Sequence, residues 1–250
     1  MKKILLVLPL LAMFTSCDWF KLDNQDAWDA QIEGRFIDSA TQENVQFAFP
    51  NTNTMTVVEL GWDKEATQSW NTKPNGTYCN KLVFAGNYRM QTSNSNYYPL
   101  TKEFKINKGA NTVDFTVVPY ARIKDFSLTY DASSKKLVAK FKAEHGDKTK
   151  TNSMAAKIFV YTDRFVSDGF NNYNAWSPAT PCADDGVTVN ELAVDVSNPN
   201  FNGNYSNRTH YIRVGVVAKG AGVNNNARYN FSPVYAVSKD FSSITEVTDW

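Results

Sequence analysis

Two histidines, an acidic pair, scattered carboxylates and an unusual number of rings are the side chains here that could do chemistry. His145 and His210 stand far apart, and neither has the nearby Cys or carboxylate spacing of a zinc site. Structural roles are expected for both, and no metal. Asp184-Asp185 before Gly186 could offer oxygens to calcium, but the graded ligand spacing of a calcium loop is missing, so the stretch reads as a solvated turn. A glycosidase needs two carboxylates across a cleft, and nothing in the spacing selects such a pair among the 25 acids. G-x-S-x-G, Walker A and H-E-x-x-H stretches do not occur. Nucleophilic, phosphoryl-transfer and zinc-hydrolase chemistries therefore lack a starting point, and a chain without cofactor or catalytic residues, not an enzyme, is expected.

Aromatic residues, 14% of the chain, are more informative. An exposed ring can stack on the apolar C–H face of a sugar while amides and carboxylates at its rim take the hydroxyls; core packing is the rival explanation for each ring. Trp62 shares a strand face with Val58 and Leu60 and is expected to be buried. Trp70 sits in the polar stretch Gln68-Ser69-Trp70-Asn71-Thr72, and adjacent Tyr97 and Tyr98 must point to opposite faces if extended, so Trp70 and one of the tyrosines are candidate ligand contacts. The main candidates are Tyr173 and Trp176 in Phe170-Asn171-Asn172-Tyr173-Asn174-Ala175-Trp176-Ser177-Pro178, which is loop-like, amide-rich and aromatic at once. They form either a ligand platform or a plug closing one end of a sandwich.

The third chemically active position is Cys17. Lys2 and Lys3 form a basic n-region, Ile4 to Met13 an apolar h-region interrupted by Pro9, and Thr15-Ser16 a small-residue site before the cysteine. The segment reads as a secretory signal, too short for a spanning helix of about 20 apolar residues, and it resembles a bacterial lipobox. Cleavage after Ser16 and lipidation of Cys17 are expected, with a plain secretory cut as the alternative; residues 17–29 become an acidic, aperiodic tether. Acyl chains favour the membrane by about 0.8 kcal/mol per buried methylene. Without residues 1–16 the chain keeps 24 basic against 25 acidic side chains. Near-neutrality argues against nucleic-acid binding by counterion release. Cys79 and Cys182 read as two separate, partly buried thiols.

The elements that must position these groups are strands. Val113, Phe115 and Val117 alternate with Thr112, Asp114 and Thr116, and the same period of two runs through Phe104–Ile106, Phe126–Tyr130 and Leu137–Phe141. Turn clusters at Lys73–Gly76, Asn107–Gly109 and Asp131–Ser134 separate them. This is an all-β pattern, expected to fold as two tandem β-sandwich domains, residues 30–120 and 121–250. The junction lies at Pro119-Tyr120-Ala121-Arg122, and so short a linker implies sandwiches stacked end to end with limited relative freedom.

Ile32-Glu33-Gly34-Arg35-Phe36-Ile37-Asp38 with Thr41 and Val45, then Pro74-Asn75-Gly76-Thr77-Tyr78 and Leu82 to Met90, resemble the carboxypeptidase regulatory-like, transthyretin-related sandwich. Val58 to Lys124 as a unit is similar to Bacteroidetes surface lipoproteins of the domain-of-unknown-function 3823 type. Thr209 to Ala218 resembles the sixth strand of a fibronectin type III or immunoglobulin-like sandwich, with His210 where the corner tyrosine falls and Tyr229 to Val237 as the last strand. Asp38-Ser39-Ala40 resembles a short O-glycosylation acceptor sequence. These resemblances imply an outer-membrane, lipid-anchored, non-catalytic accessory of a polysaccharide-utilisation system, exposed on the cell surface beside SusC/SusD-like proteins. Glycan binding is the role expected, with a scaffold docking on a SusC/SusD-type transporter complex as the alternative and a glycan-active enzyme as the least favoured.

Overall fold

A computed structural model describes residues 27–49, 53–92, 94–173, 177–199, 207–220, 223 and 228–250. The expected signal segment, Cys17 and Trp176 lie outside the described residues. What the structure describes is all-β, as the alternation predicts.

In the N-terminal half, strand β1 (Ala30–Asp38) is central. It pairs antiparallel with β4 (Thr77–Val83) and parallel with β7 (Gly109–Thr112) and then β8 (Phe115–Val117). A second sheet has the antiparallel order β3 (Thr67–Asn71), β2 (Thr54–Glu59), β5 (Gly86–Thr92), β6 (Leu100–Ile106). Ile32, Phe36, Val57, Met90 and Phe115 fill the space between them. The single strand expected over residues 112–117 is broken at Val113-Asp114. There the chain crosses Gly34: an added Cβ at this glycine would lie 1.9 Å from the Val113 carbonyl oxygen. The Val113 N–H donates to the Glu33 carbonyl at 2.9 Å, and the Tyr78 hydroxyl donates to the Val113 carbonyl at 2.6 Å. Only a residue without Cβ allows this approach.

The C-terminal half packs β13 (Asn190–Asp195), β10 (Lys136–His145) and β9 (Ala121–Asp131) against a larger sheet. That sheet runs β12 (Thr180–Pro181), β11 (Ser153–Tyr161), β14 (His210–Lys219), β16 (Tyr235–Val237), β17 (Ile244–Glu246), with β15 (Asn230–Phe231) beside β14. Leu137, Ala139 and Phe141 face Ile158, Val160, Ile212 and Val214. The last strand expected from Tyr229 to Val237 is split into β15 and β16 around Ser232-Pro233, because proline cannot donate to a ladder.

Strand β11 is buried along nearly its whole length, on both faces. Its outer face is covered by a third cluster in which Ala48, from the loop after β1, joins Phe159, Val166, Phe231 and Val234. Contact between the halves is thus broader than two ends meeting. At its centre lies Arg213, fully buried. Its Nη1 donates to the Phe47 carbonyl at 2.9 Å, while Nε and Nη2 both donate to the Ser232 carbonyl at 3.1 and 2.7 Å. The guanidinium carbon lies 4.2 Å from the Phe231 ring centroid. Burial pushes Arg213 down to about 9, which leaves it protonated at neutral pH. Around it, Asn96 Nδ2 donates to the Gln46 and Tyr229 carbonyls, Asn230 Nδ2 returns to the Asn96 carbonyl, and Arg122 forks onto Asp38. The Asp38 carboxylate of the Asp38-Ser39-Ala40 stretch is therefore buried in an ion pair, while Ser39 is exposed.

Candidate functional site

The end of the N-terminal sandwich away from this junction collects the starts of β1, β3 and β5 and the ends of β2, β4 and β6. At about 3.3 Å per residue, the nine residues of β1 put it about 30 Å from Asp38. An open depression of about 870 Å³ lies here. Its most prominent walls are two indoles, Trp28 (56% exposed) and Trp62 (65%), with Leu82 also largely exposed. Asp29, Glu59, Gln68, Tyr88 and Lys108 supply polar groups.

Each side chain is set by a local device. Gly61 takes φ +101°, a left-handed conformation that glycine adopts without steric cost, immediately after β2. This turn cancels the strand alternation, so Trp62 leaves the face of Val58 and swings into solvent. The burial expected for Trp62 is thereby corrected. The loop is held by the Leu60 N–H donating to the Asn87 carbonyl at 2.8 Å and by Arg89–Glu65 at 2.6 Å. Beside Trp28, Asp29 accepts from the Ala85 N–H at 2.8 Å and pairs with Lys108 at 3.3 Å. Those contacts, the backbone hydrogen bond first, hold its carboxyl below the usual range. Tyr88 donates to the Phe84 carbonyl at 2.9 Å, and burial, with Glu59 nearby, pushes its hydroxyl up to about 12. It acts as a neutral wall.

Trp70, expected as a ligand contact, is instead buried beneath this site, its ring 6.1 Å from that of Tyr88. Its Nε1 donates to Gln68 Oε1 at 3.1 Å. An indole N–H only donates, so the bond fixes the Gln68 amide with oxygen inward and leaves its NH₂ as a donor for a ligand. Tyr97 is also corrected. It is wholly buried in the N-terminal core, its hydroxyl donating to Asn53 Oδ1 at 2.7 Å, and burial raises its pKa. Tyr98 does point to the opposite side, but it is half-buried at the junction, edge-on to Tyr120 and with Lys150 Nζ 4.5 Å from its ring centroid. Tyr173 packs on the C-terminal core, and its hydroxyl accepts from the Asp195 N–H at 3.2 Å. The four expected rings among the described residues are therefore not brought together, and Trp176 lies outside them.

Of the remaining chemical groups, His145 bonds Thr151 Oγ1 through Nδ1 at 2.6 Å and lies 3.0 Å from Asp184 Oδ2 through Nε2. Asp185 spends both oxygens on Thr188 and Val187, bonds that hold its carboxyl at about 2. It closes a turn. No group of three or more His, Cys, Asp or Glu suited to a metal occurs among the described residues. The two thiols are free, Cys79 exposed and Cys182 half-buried; burial, then Asp184, pushes Cys182 up to about 11. At pH 8 about a thousandth of such a thiol is ionised. In a chain beginning after Cys17, exposed Cys79 should therefore take up a maleimide first and Cys182 lag well behind it, read by mass spectrometry against time.

Fold and site together define a class: a double-layered β protein with an open, aromatic-walled site at one end. More particularly, residues 30–118 match the family model described as "Protein of unknown function (DUF3823) N-terminal domain". The chain is similar over 88% of its length to the whole of a "putative carbohydrate binding protein" from Bacteroides uniformis, at 27% identity and a TM-score of 0.71. DUF3823 family proteins from Parabacteroides merdae and Bacteroides uniformis share the fold at 22% and 17% identity, with TM-scores of 0.66 and 0.65. These likenesses cover 84% and 85% of this chain and 99% of each of those chains. No curated protein matches the chain.

Proposed function

We propose that this protein is a non-catalytic glycan-binding accessory of a polysaccharide-utilisation system, held at the outer membrane and cell surface by lipid on Cys17 and working beside SusC/SusD-like proteins. In this reading residues 30–120 form a carboxypeptidase regulatory-like sandwich and residues 121–250 a fibronectin type III-like one. The observation that carries the binding role is the pair of exposed indoles, Trp28 and Trp62, across a depression whose rim offers the Glu59 carboxylate and the Gln68 amide. Large exposed rings flanked by polar groups suit a polyhydroxylated ligand, which stacks on the ring and bonds to the rim. The likeness to the Bacteroides uniformis protein supports the same role.

Affinity electrophoresis of the chain beginning after Cys17 against a polysaccharide panel tests the proposal. Retardation by at least one glycan is expected. Trp28→Ala and Trp62→Ala should each weaken it by about thirtyfold, or about 2 kcal/mol, as for a contact at the centre of an interface. Tyr173→Ala and Trp176→Ala test whether the 170–178 loop adds a second contact. Absence of retardation on every glycan would sink the binding role. Membrane co-purification of a SusC/SusD-like partner in the absence of sugar would then favour the scaffold.

A further inference from the structure

The depression beside Trp28 does not end at Trp62. Adjoining it lies a second one of about 390 Å³, lined also by Asp63, Lys64 and Ala66. Glu59, Trp62 and Gln68 line both. Trp62 thus stands where the two depressions adjoin in one trough. Each compartment falls within the range of about 300–1,000 Å³ that holds a small ligand, and both are open to solvent. The polar groups common to both are a donor and an acceptor. The Gln68 Nε2 has no hydrogen bond among the described residues because Trp70 occupies only Oε1. The Glu59 carboxylate has no ion-pair or hydrogen-bond partner among the described residues. Lys108, which also lines the first depression, is already engaged by Asp29.

Resting on the glycan-binding reading above, we infer that the trough takes an internal stretch of a neutral polysaccharide, with consecutive sugar units on either side of Trp62. Its indole is stacked from both sides, while Gln68 and Glu59 serve the hydroxyls at the step between compartments. A chain end is not needed, since neither compartment is closed. An acidic polymer is disfavoured because, among the described residues, the charges lining the trough without an ion-pair partner are the Glu59 and Asp63 carboxylates against the single Lys64 ammonium, and a uronate at Glu59 sets like charges together in a partly desolvated site.

The test is calorimetric titration of the chain beginning after Cys17 with glucan, mannan and xylan oligosaccharides from disaccharide to octasaccharide, and with polygalacturonate as the anionic probe. For the series that binds, affinity should rise by at least about tenfold from disaccharide to a plateau near four units, since two compartments must fill. Borohydride reduction of the terminal unit of the octasaccharide should leave its affinity unchanged within about twofold. Ala66→Trp, which fills the second compartment at an exposed loop position, should abolish the gain with length and leave disaccharide affinity intact. Glu59→Gln should improve polygalacturonate binding relative to the neutral series. If Trp62→Ala abolishes binding but affinity is already full at the disaccharide, depends on a free reducing end, or is matched by polygalacturonate, the binding site stands and this inference falls. If only polygalacturonate binds, or binding ignores Trp62, this inference falls while the glycan-binding role stands; if neither the neutral series nor polygalacturonate binds, both fall.

Discussion

Arg213→Ala should lower the stability of the chain by about 3–5 kcal/mol, the sum of two orphaned carbonyls and a cavity. Two carbonyls, Phe47 and Ser232, lose their donors in a place water does not reach, and each buried unsatisfied group costs about 1–3 kcal/mol. The lost stack on Phe231 leaves a cavity as well. Urea unfolding followed by fluorescence should show one transition in the parent and two in the variant, because the guanidinium ties carbonyls of both halves to one sheet. Arg213→Met separates the contributions. It restores most of the volume and none of the donors, so it should recover packing but keep a deficit of about 2 kcal/mol. A loss below 1 kcal/mol with a single transition in the Ala variant would mean that other contacts carry the junction.

The second large effect is expected at Gly34. Its alanine variant brings a methyl group to 1.9 Å from a backbone oxygen that cannot rotate away. That oxygen is further held by the Tyr78 hydroxyl. Either β1 or the Val113-Asp114 crossing must move, with a loss of about 3 kcal/mol or more, above the ordinary range for overpacking. Gly61→Ala is the useful contrast. Nothing lies within 4 Å of its Cβ position, so only the left-handed φ penalises it, by about 1–2 kcal/mol. Thermal unfolding by circular dichroism separates the two, and Gly61→Ala should weaken glycan retardation by re-aiming Trp62. Equal effects of the two substitutions on melting would contradict the steric account.

These two glycines also show how far the sequence could be read. Where a strand has a buried and a solvated face, its alternation is visible, as in β9 and β10. Gly34 lies within the stretch whose resemblance pointed to this fold. Trp62 was misplaced because the alternation from Val58 was carried through Gly61, where the backbone changes hand. Trp70 is the sole buried residue of an otherwise exposed edge strand, so its polar neighbours concealed a core position. Tyr97 sits among Ser95 and Asn96, which are themselves buried and hydrogen-bonded at the junction. Trp28 and Asp29 read as the close of an aperiodic tether, yet they edge the site. No spacing rule could have found that site: residues 28, 59, 62, 68, 82 and 108 meet only because six strands begin or end at one place.

The parallel pairing of β1 has a consequence in time. An antiparallel neighbour can arrive by a short hairpin, but β7 and β8 are the last strands of their sandwich, and Arg35 on β1 meets Asp114 across 79 residues. The first strand synthesised is therefore closed by the last, and the loop entropy of that closure must be overcome before the ladder forms. Until then β1 holds only its β4 side, with a row of amides unpaired along the other. Folding of this half should accordingly be slow and all-or-none, and a nascent chain stopped short of Val117 would present an open edge, the kind of surface that chaperones bind and aggregates grow from.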